Sequence, residues 1–311
     1  MPFGQEGRSP MFTKSTIENT GAQAFCDLIQ EPKSANPYLP ERARIVRKFD
    51  LTRDVRFFQV RLCDPEKVMC WTTSYKPGQF MMLSLPNVGE APFSITSTPT
   101  RPGLFEFCIR KVGRLTSKLF ELKENDFVWL RGPFGNGFPV ERMYGKDLLF
   151  VAGGLGVAPL RSVLLYALDY RDRFGRIFYL YGAKTPDEML FREEFFRMKE
   201  RDDFECYLTV DADPTGLWPF DIGVVTTLFK YVKVDGRNTV AIVCGPPVMY
   251  KYVVEEFLKL NIPEDQIFMT LERRMKCGMG KCGQCVVEHK YTCVDGPVFT
   301  LWDVKNIRTL I

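Results

Sequence analysis

The run Leu148-Leu149-Phe150-Val151-Ala152-Gly153-Gly154-Leu155-Gly156-Val157-Ala158-Pro159 joins a short apolar segment to a glycine-rich turn. A short apolar run bounded by glycines is typical of a buried strand, and the apolar residues after the turn indicate a helix. Such a turn can present backbone N–H groups and the positive end of the helix to a pyrophosphate. The run therefore predicts a nucleotide-binding turn, although a purely structural strand-to-helix turn is the alternative for this motif on its own.

The residues that follow extend this pattern to a parallel sheet. Residues 177–181, 206–210 and 239–243 are short apolar runs separated by segments of helical spacing, an order that predicts alternating strands and helices. Cys244-Gly245-Pro246-Pro247 stands at the end of the last run, and ligands of open α/β sheets bind at the carboxyl ends of strands. We predict a nucleotide-binding α/β domain over residues 144–271.

The segment before this sheet has a period of two. Polar and apolar residues alternate over residues 58–62 and 105–110, and Pro77-Gly78 and Gly132-Pro133 provide turns between short strands. Alternation of this kind with regularly spaced turns is typical of a small antiparallel β-barrel. We predict this barrel over residues 41–143.

Four cysteines near the C-terminus, Cys277, Cys282, Cys285 and Cys293, have the spacing C-x4-C-x2-C-x7-C. This is the spacing of a plant-type [2Fe–2S] loop, and the glycines between the first three cysteines let such a loop fold tightly around a cluster. A structural zinc site is the alternative, but zinc sites usually use paired C-x2-C motifs and only one such pair is present. We predict a small cluster-binding segment over residues 272–311.

The charge balance of the chain argues against several kinds of partner. The 311 residues include 42 basic and 38 acidic side chains, which give a net charge of +4. That balance predicts no nucleic-acid partner and no attraction to a membrane surface. The apolar residues 148–168 contain three glycines, Pro159 and Arg161, so a buried strand and helix are predicted rather than membrane insertion.

The N-terminal residues and the remaining thiols predict a compartment and an accessory segment. Ten cysteines without an N-terminal signal pattern favour a reducing, cytoplasmic location over a disulfide framework. Residues 1–40 are polar and proline-containing and are predicted to be an extension that packs on a neighbour. Cys26 within it is expected to be an inert thiol. The single histidine, His289, is expected at the surface, since a Rieske cluster needs two histidines.

Together these segments resemble the ferredoxin–NADP reductase superfamily over residues 42–272. The cysteine loop with Leu271-Glu272-Arg273-Arg274-Met275 before it, and Gly132-Pro133-Phe134-Gly135-Asn136, are similar to the γ, diaphorase-like subunit of cytoplasmic nickel–iron sulfhydrogenases. Related proteins are the electron-transfer subunit of dihydroorotate dehydrogenase, the B subunit of anaerobic sulfite reductase and the flavin subunits of heterodisulfide reductases. The resemblance implies a β-barrel FAD-binding domain, an α/β NAD(P)-binding domain and a small C-terminal [2Fe–2S] domain.

The resemblance also implies which residues bind FAD. The family's Arg-x-Tyr-Ser segment corresponds to Ala91-Pro92-Phe93-Ser94, so Phe93 would stack on the isoalloxazine and Ser94 would hydrogen-bond near N5. An ordinary barrel-core aromatic is the alternative for Phe93. Because Ala91 replaces the family arginine, Arg110 or Arg114 is expected to neutralise the pyrophosphate. The residues expected at FAD are Pro92, Phe93, Ser94, Ile109, Arg110, Gly113, Arg114, Thr116 and Ser117.

For the pyridine nucleotide, the resemblance places the glycine turn at the diphosphate and the Cys-Gly-Pro-Pro turn at the nicotinamide. The residues expected there are Gly153, Gly154, Gly156, Cys244, Gly245 and Pro246, with Ser94 and Cys244 as the catalytic candidates. A buried strand-end thiol is the alternative for Cys244. Lys184 could pair with a 2′-phosphate and Asp187 or Asp211 with a free ribose hydroxyl, so NADH and NADPH both stay open.

The function implied by the resemblance is electron transfer between NAD(P)H, FAD and a [2Fe–2S] cluster, to or from the iron–sulfur subunits of a partner, with a hydrogenase expected first. The sequence contains no second set of cysteines for further clusters and no substrate motif, which is why a partner is expected. The alternatives are an input subunit of a heterodisulfide reductase, dihydroorotate dehydrogenase or sulfite reductase complex, a stand-alone NAD(P)H diaphorase, and a redox-sensing module without turnover.

Overall fold

The computed structural model describes residues 36–305 and residue 307. Most of the predicted N-terminal extension, residues 1–35, lies outside the described residues, and so does Cys26. Within the described part of the chain, no helix is both long enough and apolar enough to cross a bilayer.

The alternating segment forms the predicted antiparallel sheet, with the strand order β4-β3-β6-β1-β2-β5. Its strands are β1 (Glu41–Asp50), β2 (Val55–Leu62), β3 (Phe80–Leu85), β4 (Gly89–Ser94), β5 (Phe105–Arg110) and β6 (Phe127–Phe134), and its helices are α1 (Pro65–Thr73) and α2 (Arg114–Glu121). The alternation buries Phe58, Phe105 and Phe107 on the inner face. The N–H of Thr96, just beyond β4, donates to the carbonyl of Glu106 in β5 at 2.8 Å. This bond joins the two edges of the sheet into a barrel.

The apolar runs form a second sheet, with the order β10-β9-β8-β7-β11-β12-β15. Its strands are β7 (Asp147–Gly153), β8 (Ile177–Ala183), β9 (Glu205–Val210), β10 (Asp221–Ile222), β11 (Thr239–Cys244), β12 (Ile267–Thr270) and β15 (Val298–Thr300). The helices on its faces and edge are α3 (Val157–Asp169), α4 (Arg192–Met198), α5 (Pro247–Lys259) and α6 (Leu301–Val304). Adjacent strands are parallel except β15, which runs antiparallel to β12. Buried clusters lie on both faces, as expected for a mainly parallel sheet.

The cysteine segment packs against both sheets. It contains the short hairpin β13 (Val286–Val287) and β14 (Lys290–Tyr291) and then supplies β15 to the edge of the second sheet. The Nδ2 of Asn136, after the last barrel strand, donates to the carbonyls of Asp295 at 2.8 Å and Val298 at 2.7 Å. The cysteine loop is thereby held between the barrel and the α/β sheet. The domain limits at residues 40, 143 and 271 stay a prediction, to which the structure adds that the last segment completes the second sheet.

Candidate functional site

The two turns predicted for the pyridine nucleotide lie against each other at the carboxyl ends of two central strands of the second sheet. Strands β7 and β11 are neighbours, with Ala152 opposite Cys244. A Cβ atom added to Gly156 would lie 2.1 Å from the carbonyl oxygen of Cys244, and one added to Gly245 would lie 2.3 Å from Cε of Met249. The contact at Gly156 is with backbone, so a side chain there would force the turns apart and glycine is required for the close approach. At Gly245 the contact is with the end of the flexible Met249 side chain, which could move.

The glycine turn leaves open space on its outer side. Gly154 has a φ of 52°, a left-handed conformation that favours glycine, and a Cβ added there would meet no atom within 4 Å. The turn leads through residues 154–156 directly into α3, so the free N–H groups of the helix start lie beside this space. An open cradle next to a helix N-terminus fits a nucleotide diphosphate.

A buried tyrosine that the sequence did not single out holds the glycine turn in place. Tyr181, in β8, donates its hydroxyl to the carbonyl of Gly154 at 3.2 Å and accepts from the N–H of Leu190 at 3.0 Å. Burial raises the pKa of Tyr181 well above its ordinary value, so the hydroxyl stays a donor. The sequence did not reveal this role, because the apolar pattern of a strand predicts a buried aromatic residue but not its hydrogen-bond partners.

Cys244 is buried beside the nicotinamide end predicted for this site. It is 5% exposed, and burial raises the pKa of its thiol to about 12. The neighbouring Tyr250 donates to the carbonyl of Thr270 at 2.5 Å. The buried Thr270 hydroxyl lies next to the Cys244 thiol and the Tyr250 hydroxyl and has no other partner among the described residues, so these three side chains form one polar group at the strand ends.

Two of the three candidate residues for nucleotide specificity, Lys184 and Asp211, directly follow the neighbouring strands β8 and β9. The N–H of Asp211 donates to the carbonyl of Ala183 at 2.9 Å, and the N–H of Ala212 donates to the carbonyl of Lys184 at 3.0 Å. The side chains of Lys184, Asp187 and Asp211 are all exposed. The cation and the two carboxylates that could decide between NADH and NADPH are therefore all exposed to solvent.

The segment predicted to hold the flavin ring lies on the edge strand β4 of the barrel. Pro92, Phe93 and Ser94 pair with the β3 residues Met82, Met81 and Phe80 in the same order. Phe93 is half-buried and packs against the barrel core while keeping part of its ring accessible. An aromatic ring with a free face on an edge strand fits the stacking role.

Two of the residues expected at FAD have side chains that are engaged elsewhere. Ile109 is fully buried in the barrel core, so only its backbone is available to a cofactor. The Thr116 hydroxyl accepts the N–H groups of Val112 and Gly113, each at 2.9 Å, and donates to the carbonyl of Gly113 at 3.0 Å. Thr116 therefore caps α2 and shapes the turn, because its hydroxyl is placed to satisfy the free N–H groups at the helix start.

Arg110, one of the two cations predicted at the FAD phosphates, is ion-paired with Asp54. The Nε atom of Arg110 is buried without a well-aligned hydrogen bond, although it lies 3.1 Å from a carboxylate oxygen of Asp54. A Cβ added to Gly113 would meet no atom within 4 Å, and the side chain of Ser117 is half-buried next to that turn. Arg114 is exposed and donates to the carbonyl of Asn87 at 3.1 Å. Of the two cations considered from the sequence, Arg110 is ion-paired with Asp54 while its side chain is 41% exposed, and Arg114 is exposed, so both are accessible to an anionic phosphate.

The four C-terminal cysteines form two pairs. The thiols of Cys285 and Cys293 lie 3.2 Å apart, and Cys282 is in contact with Cys277. Within the described residues, no three His, Cys, Asp or Glu side chains are grouped to hold a single metal ion. Two thiol pairs are the ligand set that a two-iron cluster needs, since each iron takes two of the four cysteines.

Backbone N–H groups are directed at the sulfur atoms of this loop. Cys277 Sγ accepts from Met279 at 3.4 Å and Lys281 at 3.3 Å, and Cys293 Sγ accepts from Gly280 at 3.1 Å. Burial alone would raise the pKa of Cys277, but the N–H donors around it lower that pKa to about 7. Such donors stabilise thiolate ligands, so the loop fits an iron–sulfur cluster. His289 is exposed, as predicted.

Comparison with protein families agrees with this three-part site. Residues 42–138 match an oxidoreductase FAD-binding domain, residues 150–255 match an oxidoreductase NAD-binding domain, and residues 272–305 match the iron–sulfur cluster binding domain of dihydroorotate dehydrogenase B. The fold and the site therefore define a flavin- and pyridine-nucleotide-dependent iron–sulfur oxidoreductase. The predictions of fold class, enzyme class and cofactors are confirmed.

Individual relatives identify the family within this class of oxidoreductases. The chain is 45% identical over 283 residues to sulfhydrogenase 1 subunit gamma of Pyrococcus furiosus, covering 89% of this chain and 96% of that protein. It is 38% identical to a probable dihydroorotate dehydrogenase B electron transfer subunit of Methanocaldococcus jannaschii, covering 75% of this chain and 82% of that protein. The chain belongs to the family of sulfhydrogenase gamma subunits and dihydroorotate dehydrogenase B electron-transfer subunits.

Among solved structures, the chain is similar to one from the NADH-dependent reduced ferredoxin-NADP oxidoreductase. The TM-score is 0.66 with 26% identity, and the similarity covers 83% of this chain and 88% of that chain. A ferredoxin reductase of carbazole 1,9a-dioxygenase gives a TM-score of 0.61 over 74% of this chain and 68% of that one, at 23% identity. The second likeness concerns the fold alone.

Proposed function

We propose that this chain is the electron-transfer subunit of a hydrogenase, linking NAD(P)H to iron–sulfur subunits of its partner. The observation that carries the proposal is the 45% identity to sulfhydrogenase 1 subunit gamma over 96% of that protein. The contact between the barrel strand β6 and the cysteine loop, through Arg131 and Cys277, supports it, because electron carriers must lie close together. A second candidate is the electron-transfer subunit of a dihydroorotate dehydrogenase, favoured by the match of residues 272–305.

The residue roles proposed for the nucleotides follow from the geometry above. Gly153, Gly154 and Gly156 would admit the NAD(P) diphosphate, and Cys244, Gly245 and Pro246 would border the nicotinamide. Pro92, Phe93 and Ser94 would hold the flavin ring, with Ile109 contributing backbone only. Arg110, Gly113, Arg114 and Ser117 would meet the FAD phosphates, while Thr116 shapes that turn.

The bound cofactors supply hydride transfer from nicotinamide to FAD and one-electron transfer from FAD to the iron–sulfur cluster. The chain contributes position and exclusion of water. Cys244 stays a neutral thiol in a buried turn, and Phe93 offers a half-covered ring to fix the plane of the flavin. Cys277, Cys282, Cys285 and Cys293 would hold the cluster, with N–H donors directed at two of their sulfurs.

The surface beside the cysteine loop suits a handover to a partner. Cys282 is exposed, and the nearby apolar side chains Val286 and Val294 are 43% and 51% exposed. Exposed apolar side chains beside a redox centre are compatible with a protein interface. We further propose a cytoplasmic location, because the thiol ligands require reducing conditions. Partners of the heterodisulfide reductase or sulfite reductase type, and a stand-alone diaphorase, are the other outcomes of the experiment below.

Anaerobic purification of the native chain, with mass spectrometry of the proteins that co-purify, tests the proposed partner. Under the proposal, hydrogenase subunits co-purify, and NAD(P)H bleaches the flavin and produces the electron paramagnetic resonance signal of a reduced [2Fe–2S] cluster. Co-purification of a dihydroorotate dehydrogenase catalytic subunit would favour the second candidate. An isolated chain that oxidises NAD(P)H at full rate with soluble acceptors would contradict the subunit proposal.

Replacement of Cys244 by alanine tests its proposed place at the nicotinamide. We expect Cys244→Ala to slow flavin reduction by NAD(P)H about tenfold, because a cavity replaces the thiol that positions the ring, while FAD content is unchanged. Because burial raises the pKa of this thiol to about 12, its titration adds no step to the rate between about pH 6 and pH 9. Stopped-flow absorbance at the flavin band measures both quantities.

The matched control is Cys206→Ala. Cys206 is also a buried strand cysteine whose thiol pKa is raised by burial to about 12, but it lies near the start of β9. We expect this variant to reduce flavin at the wild-type rate. Equal slowing in both variants would assign the effect to core packing and contradict the proposed role of Cys244.

A further inference from the structure

Arg131, in β6, is a buried cation placed between the barrel and the cysteine loop. Its side chain is 4% exposed, and arginine is almost never this deeply buried without partners. Nε and Nη2 donate to the two carboxylate oxygens of Glu90 at 2.8 Å and 2.6 Å. Nη1 donates to the carbonyl of Cys277 at 3.2 Å and to the carbonyl of Pro37 at 3.1 Å. One guanidinium therefore joins a carboxylate to the backbone of the first cluster cysteine.

The surrounding backbone and rings fix the direction of this side chain. A bulge in the pairing of β6 with β3 lies directly after Arg131, where Gly132 has a φ of 126°, and such bulges turn a side chain out of the regular strand geometry. The guanidinium carbon lies 5.5 Å from the ring centre of Phe134 and 5.7 Å from that of Tyr38. A Cβ added to Gly278 would lie 2.7 Å from Phe134, so the same aromatic ring packs tightly against the cysteine loop.

The ion pair connects the cluster loop to the strand proposed to hold the flavin. Glu90 stands in β4, three residues before Phe93. An arginine guanidinium is not deprotonated in proteins, so Arg131 stays positively charged throughout the working range of pH. The positive end of this ion pair contacts the cysteine loop, whereas its negative end lies on β4.

We propose that Arg131 is a positioning residue that holds the cysteine loop on the barrel and makes the iron–sulfur cluster easier to reduce, with Glu90 as the opposing charge. Reduction adds one electron to the cluster and no bond or proton moves in the protein. A cation that contacts the cluster loop stabilises the added negative charge, and a carboxylate nearby destabilises it. This inference depends on a cluster bound by the four cysteines and not on the identity of the partner protein.

Redox titration of the full chain, loaded with FAD and cluster and followed by electron paramagnetic resonance, tests this role. For Arg131→Met we expect the equilibrium constant for one-electron reduction of the cluster to fall by about tenfold, which corresponds to about 59 mV. For Glu90→Gln we expect a change of the opposite sign, because the cation stays and its countercharge is lost. Arg131→Lys, which keeps the charge but lacks the planar fork, should stay closer to the wild-type potential than Arg131→Met does.

The predicted shifts of the cluster potential in opposite directions distinguish an electrostatic role of Arg131 from a purely structural one. Damage to packing would move the potentials of Arg131→Met and Glu90→Gln in the same direction or leave both unchanged, and either result would overturn the proposal. Arg161→Met is the matched control, since Arg161 is also a buried arginine paired with Glu106 at 2.7 Å and Glu194 at 3.0 Å, between the barrel and α4. It should lower the melting temperature without moving the cluster potential. If Arg131→Met does not fold, Glu90→Gln alone decides, because an unchanged or lowered potential contradicts the proposal.

Discussion

Replacing Cys285 by alanine should remove the iron–sulfur cluster and leave the rest of the chain able to accept electrons from NAD(P)H. The Cys285 thiol is 1% exposed and lies 3.2 Å from the thiol of Cys293. Alanine offers no ligand in place of the thiol, so one iron would retain only one cysteine of its pair. We expect the bound iron and the cluster resonance to fall to background, and electron transfer to an acceptor that depends on the cluster to fall at least about a hundredfold.

Metal analysis and electron paramagnetic resonance of the reduced protein measure this outcome, and flavin bleaching by NAD(P)H monitors the remaining site. Cys63→Ala is the matched control, because Cys63 lies directly after β2 and is not one of the four cluster cysteines. It should retain iron, the resonance and flavin bleaching. Zinc in place of iron in the wild-type chain, or an unchanged resonance in Cys285→Ala, would contradict the assignment of the cluster.

Replacing Gly156 by alanine should have the second large effect, on the pyridine nucleotide. The added Cβ would lie 2.1 Å from the carbonyl oxygen and 2.4 Å from the carbonyl carbon of Cys244. Neither atom belongs to a flexible side chain, so the two turns must separate. Overpacking of this kind costs about 1–3 kcal/mol of folding free energy, and a shift of about 1 Å in a reacting site can cost about a hundredfold in rate. We expect flavin reduction by NAD(P)H to fall about a hundredfold with FAD retained.

Gly236→Ala separates loss of the site from loss of stability. A Cβ on Gly236 would lie 1.9 Å from the carbonyl oxygen of Leu260, a comparable backbone clash at a turn that contains neither nucleotide motif. Thermal unfolding should show destabilisation in both variants, whereas NAD(P)H should reduce the flavin normally only in Gly236→Ala. Similar kinetic losses in both, or normal kinetics in Gly156→Ala, would contradict the nucleotide role of the glycine turn.

Much of the fold could be predicted from the sequence, because local patterns of polar and apolar residues specify it. The period-two alternation around Phe58 and Phe107 requires a sheet with one buried face, and the apolar runs at 148–151 and 239–243 require a sheet buried on both. The spacing of the cysteines predicted a cluster because three ligands lie within nine residues of one loop. Such features depend on neighbours in sequence, so the chain alone specifies them.

For two residues predicted at FAD, the structure shows contacts within the chain that the sequence did not reveal. Thr116 was expected to meet FAD, but its hydroxyl satisfies the N–H groups at the start of α2. Ile109 was expected there too, but the alternation of β5 places its side chain in the core. Local geometry explains both side-chain positions, because a helix start needs an acceptor and a strand exposes only every second side chain. The contacts of these two residues with FAD stay a prediction.

The sequence by itself determined the two sheets, the glycine turn and the Cys-Gly-Pro-Pro turn, and it predicts the four cluster ligands, because strand and helix periods and ligand spacings are properties of contiguous residues. Only the tertiary structure decided that Gly156 touches Cys244, that Tyr181 supports the glycine turn and that Arg131 joins Glu90 to the cluster loop. The physical reason is that a buried polar group must find a partner, and chain folding brings that partner from a distant segment. Arg131 and Cys277 are separated by 146 positions and still share a hydrogen bond.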